Sequence, residues 1–103
     1  MTAEDMKREE FYDDMNSLSD YRTDCIDAAY SMPDRRGAND VLNSLDDSVE
    51  NFINQWSGKF PSGSQEDISA VIEIGNIRRD IFTTRQVRGI WDDEIKSKKG
   101  EAA

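Results

Sequence analysis

A chain of 103 residues, 36% hydrophobic and 34% charged, with two Trp, three Tyr and four Phe, has material for one small folded core and none for a second. Its net charge of −9 disfavours nucleic acid and anionic lipid as ligands, because affinity for both comes from Lys and Arg displacing counterions. With no His there is no Ser-His or Cys-His nucleophile pair and no Glu-x-x-His ligand of a carboxylate di-metal bundle, and the lone Cys25 excludes an internal disulfide, CxxC redox chemistry and Cys-rich zinc sites.

Spacing predicts a first helix over about 4–32, with Phe11, Met15, Leu18, Cys25, Ala29 and Met32 in a near-heptad stripe and Asp13, Asp20, Asp24 and Asp27 opposite it. A break is expected near NSLSD, where Ser17, Ser19 and Asp20 are better caps than helix interiors. Pro33 then disfavours helix at Met32, Gly37 turns the chain, and Asn39 is positioned to cap a second helix over about 39–57. That helix places Leu42, Leu45, Val49, Phe52, Ile53 and Trp56 on one stripe and Asp46, Asp47, Glu50 and Asn54 on the other side. Gly58, Pro61 and Gly63 close it in a short loop.

Ser64 followed by Asp67 resembles a capping box and starts a third helix at Gln65. On its wheel Ser69, Glu73, Asn76 and Asp80 share a narrow polar arc. Ile68, Val71, Ile72, Ile74, Ile77, Ile81 and Phe82 fill the rest, so it is expected to be buried over more than half its circumference. Thr83 and Gln86 stand at capping-box spacing, flanked by Phe82 and Val87 as a hydrophobic staple, and predict a fourth helix over about 84–99. Its inner face would be Val87, Ile90, Trp91 and Ile95, with Lys96, Lys98, Lys99 and Gly100 at its end. The expected fold is all-α, an antiparallel up-down-up-down four-helix bundle forming one domain over 1–103, with residues 1–8 and 100–103 frayed.

No catalytic or metal constellation stands out, and no cofactor is expected. Asp-Asp pairs occur at 13–14, 46–47 and 92–93, but neighbours on a helix point about 100° apart and cannot share an ion unaided. The stretch DMNSLSDYRTD offers oxygen ligands yet lacks the mid-loop Gly and closing Glu of an EF-hand. Cys25 lies on the apolar stripe and reads as a core thiol. Arg22 projects from the same stripe, so it either snorkels past the core or pairs with a carboxylate of another helix. Trp56 and Trp91 stand at core spacing with the indole N–H at the margin. Phe60, in a loop beside Lys59 and Pro61, is either a lid on the bundle end or an exposed contact for a partner.

Charge is divided along the chain: residues 1–50 carry 14 acidic and 5 basic groups, residues 51–103 carry 8 of each. The acidic half either keeps a small helical protein in solution or steers it toward a basic protein surface. The second role makes Asp20, Asp24, Asp27, Asp46, Asp47, Glu50 and Phe60 the candidate partner-binding residues of a non-catalytic monomer that docks on a larger protein assembly. An acidic inhibitor that imitates nucleic acid is the alternative. Asp20, Asp24 and Asp27 rise by roughly 4.5–6 Å from one to the next, near the spacing of phosphates, although residues 51–103 lack the acid density of such mimics. No apolar run approaches the roughly 18 residues that span a bilayer, and MTAEDMKREE lacks the apolar core of a secretion signal.

The stretches YRTDC in the first helix and SVENFINQW in the second resemble the small lumenal assembly and extrinsic proteins of photosystem II. The likeness spans residues 20–99 and rests on Tyr21 with Asp24 and on the pattern from Val49 through Trp56. It implies a four-helix bundle, a photosystem II partner and a thylakoid-lumen location; without it the expected location is cytoplasmic. The sequence departs from the pattern in reaching Pro33 early, in SGSQED before the third helix, and in Phe82-Thr83-Thr84 where the family has a proline-marked turn.

Overall fold

A computed structural model describes residues 2–90. Among them the chain forms three helices and no strand: α1 (Ala3–Ser31), α2 (Arg35–Trp56) and α3 (Gln65–Arg88). The expected four-helix bundle is therefore corrected to three helices within the described residues. α3 runs straight through Phe82, Thr83 and Thr84, where a fourth helix was to begin. A capping box is a local pattern, and here burial overrides it. Ile81 and Thr84 are both buried, and Thr84 Oγ1 donates to the Asp80 carbonyl at 2.7 Å, so its hydroxyl is satisfied without ending the helix. The true stop is Gly89, left-handed at φ 70°, with the Ile90 N–H closing on Arg85 O at 2.8 Å and the Ile90 side chain buried. Trp91, Ile95 and the lysines at 96, 98 and 99 lie outside the described residues.

α1 starts at Ala3 under a capping box in which Thr2 accepts from the Asp5 N–H and Asp5 accepts from the Thr2 N–H, so helix replaces the frayed end expected over residues 3–8. It passes NSLSD without a break. α2 starts four residues before the expected Asn39, capped by Asp34, which accepts from the Gly37 N–H. Gly37 is needed for this close approach, because a Cβ there would lie 2.7 Å from Asp34 Oδ1 and 3.0 Å from Met32 Sδ. Asn39 is buried instead, and accepts from Arg85.

The order of contacts fixes the topology. Arg8 meets Glu66 and Arg22 meets Asp80, a constant offset of 58 residues, so α1 and α3 run parallel in register. Glu50 with Arg78 and Asn43 with Arg85 run the opposite way, so α2 is antiparallel to α3. The shared core is Phe11, Leu18, Cys25 and Ala29 of α1, then Ala38, Leu42, Leu45, Val49, Phe52 and Trp56 of α2, with Ile77 and Ile81 of α3. The predicted apolar stripes of α1 and α2 are in it, apart from Met15, Met32 and Ile53, which are half-buried against it. α3 contributes fewer apolar side chains because two of the four residues it buries, Glu66 and Thr84, are polar.

Candidate interaction surfaces

α3 is turned against expectation. Glu66, buried, pairs with Arg8, while Asp80 Oδ2 takes Arg22 Nε at 2.6 Å and Glu73 Oε1 lies 3.4 Å from Arg22 Nη1. The polar arc thus faces α1, which carries cations at the matching height. Arg22 is the paired arginine of the two readings left open for it. Of the seven apolar residues expected to be buried, Ile77 and Ile81 are, Ile74 is half-buried, and the other four are outward: Ile68 is 50% exposed, Val71 64%, Ile72 58% and Phe82 64%.

Glu66 also shows a titration consequence. Its carboxyl is held below the usual carboxylate range, first by its own backbone N–H and then by the Arg8 guanidinium, against a cost of burial. A depressed folded-state pKa gives stability that is complete above the unfolded value, about 4.3, and is lost as pH falls through the folded one. Urea midpoints measured downward from pH 7 should therefore fall more steeply below about pH 4.3 for the native chain than for Glu66→Gln. Parallel declines would remove Glu66 from this role.

The end of the bundle formed by the α2–α3 loop is aromatic. Phe60 packs edge-on to Phe11 at 4.9 Å between centroids and stacks over Trp56 at 6.0 Å, with Lys7 Nζ 4.9 Å from its ring centroid. Lys7 also donates to the Lys59 carbonyl at 2.9 Å, tying the loop to α1. Of the two roles open to Phe60, the structure has the lid. Trp56 Nε1 reaches Asp14 Oδ2 at 3.0 Å, which leaves the indole buried with its N–H satisfied at the margin. Cys25 is buried, and desolvation pushes its thiol up, as befits a core residue.

Between this end and α3 lies a cleft of about 170 Å³ whose lining includes Phe52, Ile53, Trp56, Phe60, Val71 and Ile74. It opens onto the groove between α2 and α3. Asp46, Glu50 and Ile53 follow one another at i, i+4 and i+7 along the α2 wall, and Val71, Ile74, Arg78 and Phe82 follow along the α3 wall. Arg78 bridges the two walls to Glu50 at 2.8 Å.

The seven candidate partner residues are not gathered on one patch. Asp20, Asp24 and Asp27 are exposed on the side of α1 away from its core stripe, Asp46 is half-buried and Asp47 exposed on α2, and Phe60 lies at the loop end. Glu50 is exposed but already bonded to Arg78. Among the described residues none of Asp20, Asp24, Asp27, Asp46 and Asp47 makes a salt bridge. No group of three or more His, Cys, Asp or Glu side chains among the described residues is gathered to hold a metal, and no helix there is long and apolar enough to cross a membrane.

Comparison with known proteins finds no match to this chain among family models, curated proteins or solved structures. The surface missed in the sequence is the outward face of α3. Its signal was present in the spacing of charges: Arg8 and Arg22 are 14 residues apart, as are Glu66 and Asp80, a separation of nearly four helical turns that keeps each pair on one face.

Proposed function

We propose that this chain is a non-catalytic interaction module that docks on a larger protein assembly through its acidic surface. The observation that carries this reading is the division of its charges. Carboxylates facing another helix are matched by arginines, Glu66 by Arg8, Asp80 and Glu73 by Arg22 and Glu50 by Arg78, whereas Asp20, Asp24, Asp27, Asp46 and Asp47 have no cation of their own among the described residues. Unmatched surface carboxylates add little to folding and are free to steer a basic partner.

The more specific form names photosystem II as the assembly. Its support is the likeness at Tyr21, Asp24 and Val49 through Trp56, in which Val49, Phe52 and Trp56 serve the core. A second reading, an inhibitor that occupies a DNA-binding protein, draws on the exposed and unpaired Asp20, Asp24 and Asp27 on one side of α1.

Capture on the immobilised chain across rising salt tests the proposal, since exposed charges are screened beyond about 8–10 Å at physiological ionic strength. Partners should be retained at low salt, released as salt rises, and lost altogether with Asp46→Lys/Asp47→Lys, whose thermal unfolding should match the parent. Capture indifferent to salt, or a partner with an acidic docking face, would contradict it. Displacement of captured proteins by duplex DNA would favour the mimic, and thylakoid lysate as the sole productive source would favour photosystem II.

A further inference from the structure

We infer that the α2–α3 groove is a receptor for a basic amphipathic helix, which lays its apolar face on α3 and anchors one bulky side chain in the aromatic cleft. The inference rests on the acidic-docking reading and names the partner's form. Three features converge on one groove. The first is apolar surface with no covering element among the described residues: Val71 and Phe82, on the groove side of α3, are each 64% exposed, and Ile68 and Ile72 continue the exposed apolar surface round the helix on either side of Arg79. From Ile68 to Phe82 they extend about 21 Å at a 1.5 Å rise, the length of a four-turn helix.

The second is the cleft at the end of that surface. Its 170 Å³, walled by Phe52, Trp56, Phe60 and Ile74, can take a leucine or a phenyl ring, since an apolar cavity of about 150 Å³ accommodates benzene. Val71 belongs both to the cleft and to the exposed face, so the two are continuous. An anchor in a pocket with apolar contacts at i, i+3, i+4 and i+7 is how helices bind grooves.

The third is charge, which selects the occupant. Asp46 shares a stripe of α2 with the cleft residue Ile53 and Asp47 stands beside it, both without a salt bridge among the described residues, whereas Glu50 on the same stripe is held by Arg78. A helix seated on the α3 face therefore has a carboxylate wall along one flank, complementary to Lys or Arg. A second copy of this chain would bring Asp46 and Asp47 of each protomer toward the same groove, on top of −9 on each molecule, and is disfavoured. Gly75 fits the same picture. It sits at the middle of the outward face, and a Cβ there would meet nothing within 4 Å inside the chain, so no internal contact requires a residue that lowers helix stability by about 1 kcal/mol. A partner helix crossing there would be allowed close approach.

The test uses the full chain and a fluorescein-labelled 15-residue peptide with Leu at helical i, i+3, i+4 spacing, one Phe and flanking Lys, followed by fluorescence anisotropy. Saturable binding is expected, weakening with salt, and a peptide with every Lys replaced by Glu should not bind. Val71→Ser with Phe82→Ser, both exposed positions, should weaken binding about tenfold or more without lowering the unfolding temperature. Asp46→Asn with Asp47→Asn should remove most of the salt dependence. Loss of binding in the aspartate variant with no effect of the serine variant would overturn the groove while leaving the acidic docking surface standing. No binding of the Lys peptide at any salt by a chain that still captures partners would overturn it in the same way. Binding that appears only with Trp91→Ala/Ile95→Ala would assign the groove to the chain's own end, and concentration-dependent dimerisation abolished by Val71→Ser would assign it to a second copy; either result overturns the inference.

Discussion

Replacing Trp56 with alanine should lower stability by about 3–5 kcal/mol, a loss comparable with the whole stability of a small domain. The size follows from what the indole holds together. It is T-shaped on Phe11 at 5.4 Å and stacked under Phe60 at 6.0 Å, and it links α2 to α1 through Asp14. Removing it opens a cavity between the ends of α1 and α2, strips Phe60 of one of its two aromatic supports and leaves Asp14 only Gln55, whose Nε2 donates to it at 3.0 Å. The cavity cannot close by a small shift, because Phe11, which is buried, is already in contact with Phe52. Urea unfolding followed by circular dichroism gives the value directly. A variant that remains as stable as the parent and loses only a binding partner would place Trp56 on the outer face of α2.

Ile77→Ala and Ile72→Ala should differ sharply although they lie on one helix five residues apart. Ile77 is fully buried, and its truncation should cost about 2–5 kcal/mol; Ile72 is 58% exposed, and its truncation should stay within about 0.5 kcal/mol. The contrast reports the rotation of α3 about its own axis. A helix that buried its widest apolar arc, as periodicity alone predicts, would lose a comparable amount at both positions.

That rotation marks where sequence reasoning stopped. The stripes of α1 and α2 were legible because each has one apolar face: Phe11, Leu18, Cys25 and Ala29, or Leu42, Leu45, Val49, Phe52 and Trp56, can point only one way. The start of α3 was legible too, since Ser64 accepts from the Asp67 N–H at 3.2 Å, while Asp67 reaches past Ser64 to the Gly63 N–H at 2.9 Å. α3 itself has apolar residues around most of its wheel, so hydrophobicity leaves its orientation undetermined. The choice falls to two ion pairs across the helices, the buried Glu66 with the exposed Arg8 and Asp80 with the half-buried Arg22. Pairing across 58 residues is not visible in any local window. The fourth helix failed for a related reason: Thr83 and Gln86 have the spacing of a cap, but the burial of Ile81 and Thr84 that carries the helix onward is a tertiary fact.

For the candidate site, the acidic character of α1 and α2 was legible and its distribution was not. Asp20, Asp24 and Asp27 are outward as their positions on the wheel require. Glu50 was indistinguishable in sequence from Asp46 and Asp47, and only the approach of Arg78 separates it from them. Phe60 could have faced outward, and what draws it inward is the space beside Phe11 and Trp56, two residues contributed by different helices.

The outward face of α3 is tested most directly by the reactivity of a thiol placed on it. In the chain carrying Ile72→Cys, the introduced thiol should react with a maleimide in native buffer at close to its rate in the denatured chain, while the buried Cys25 reacts only on unfolding. Equal protection of both thiols in the folded protein would contradict the orientation of α3 on which the groove depends.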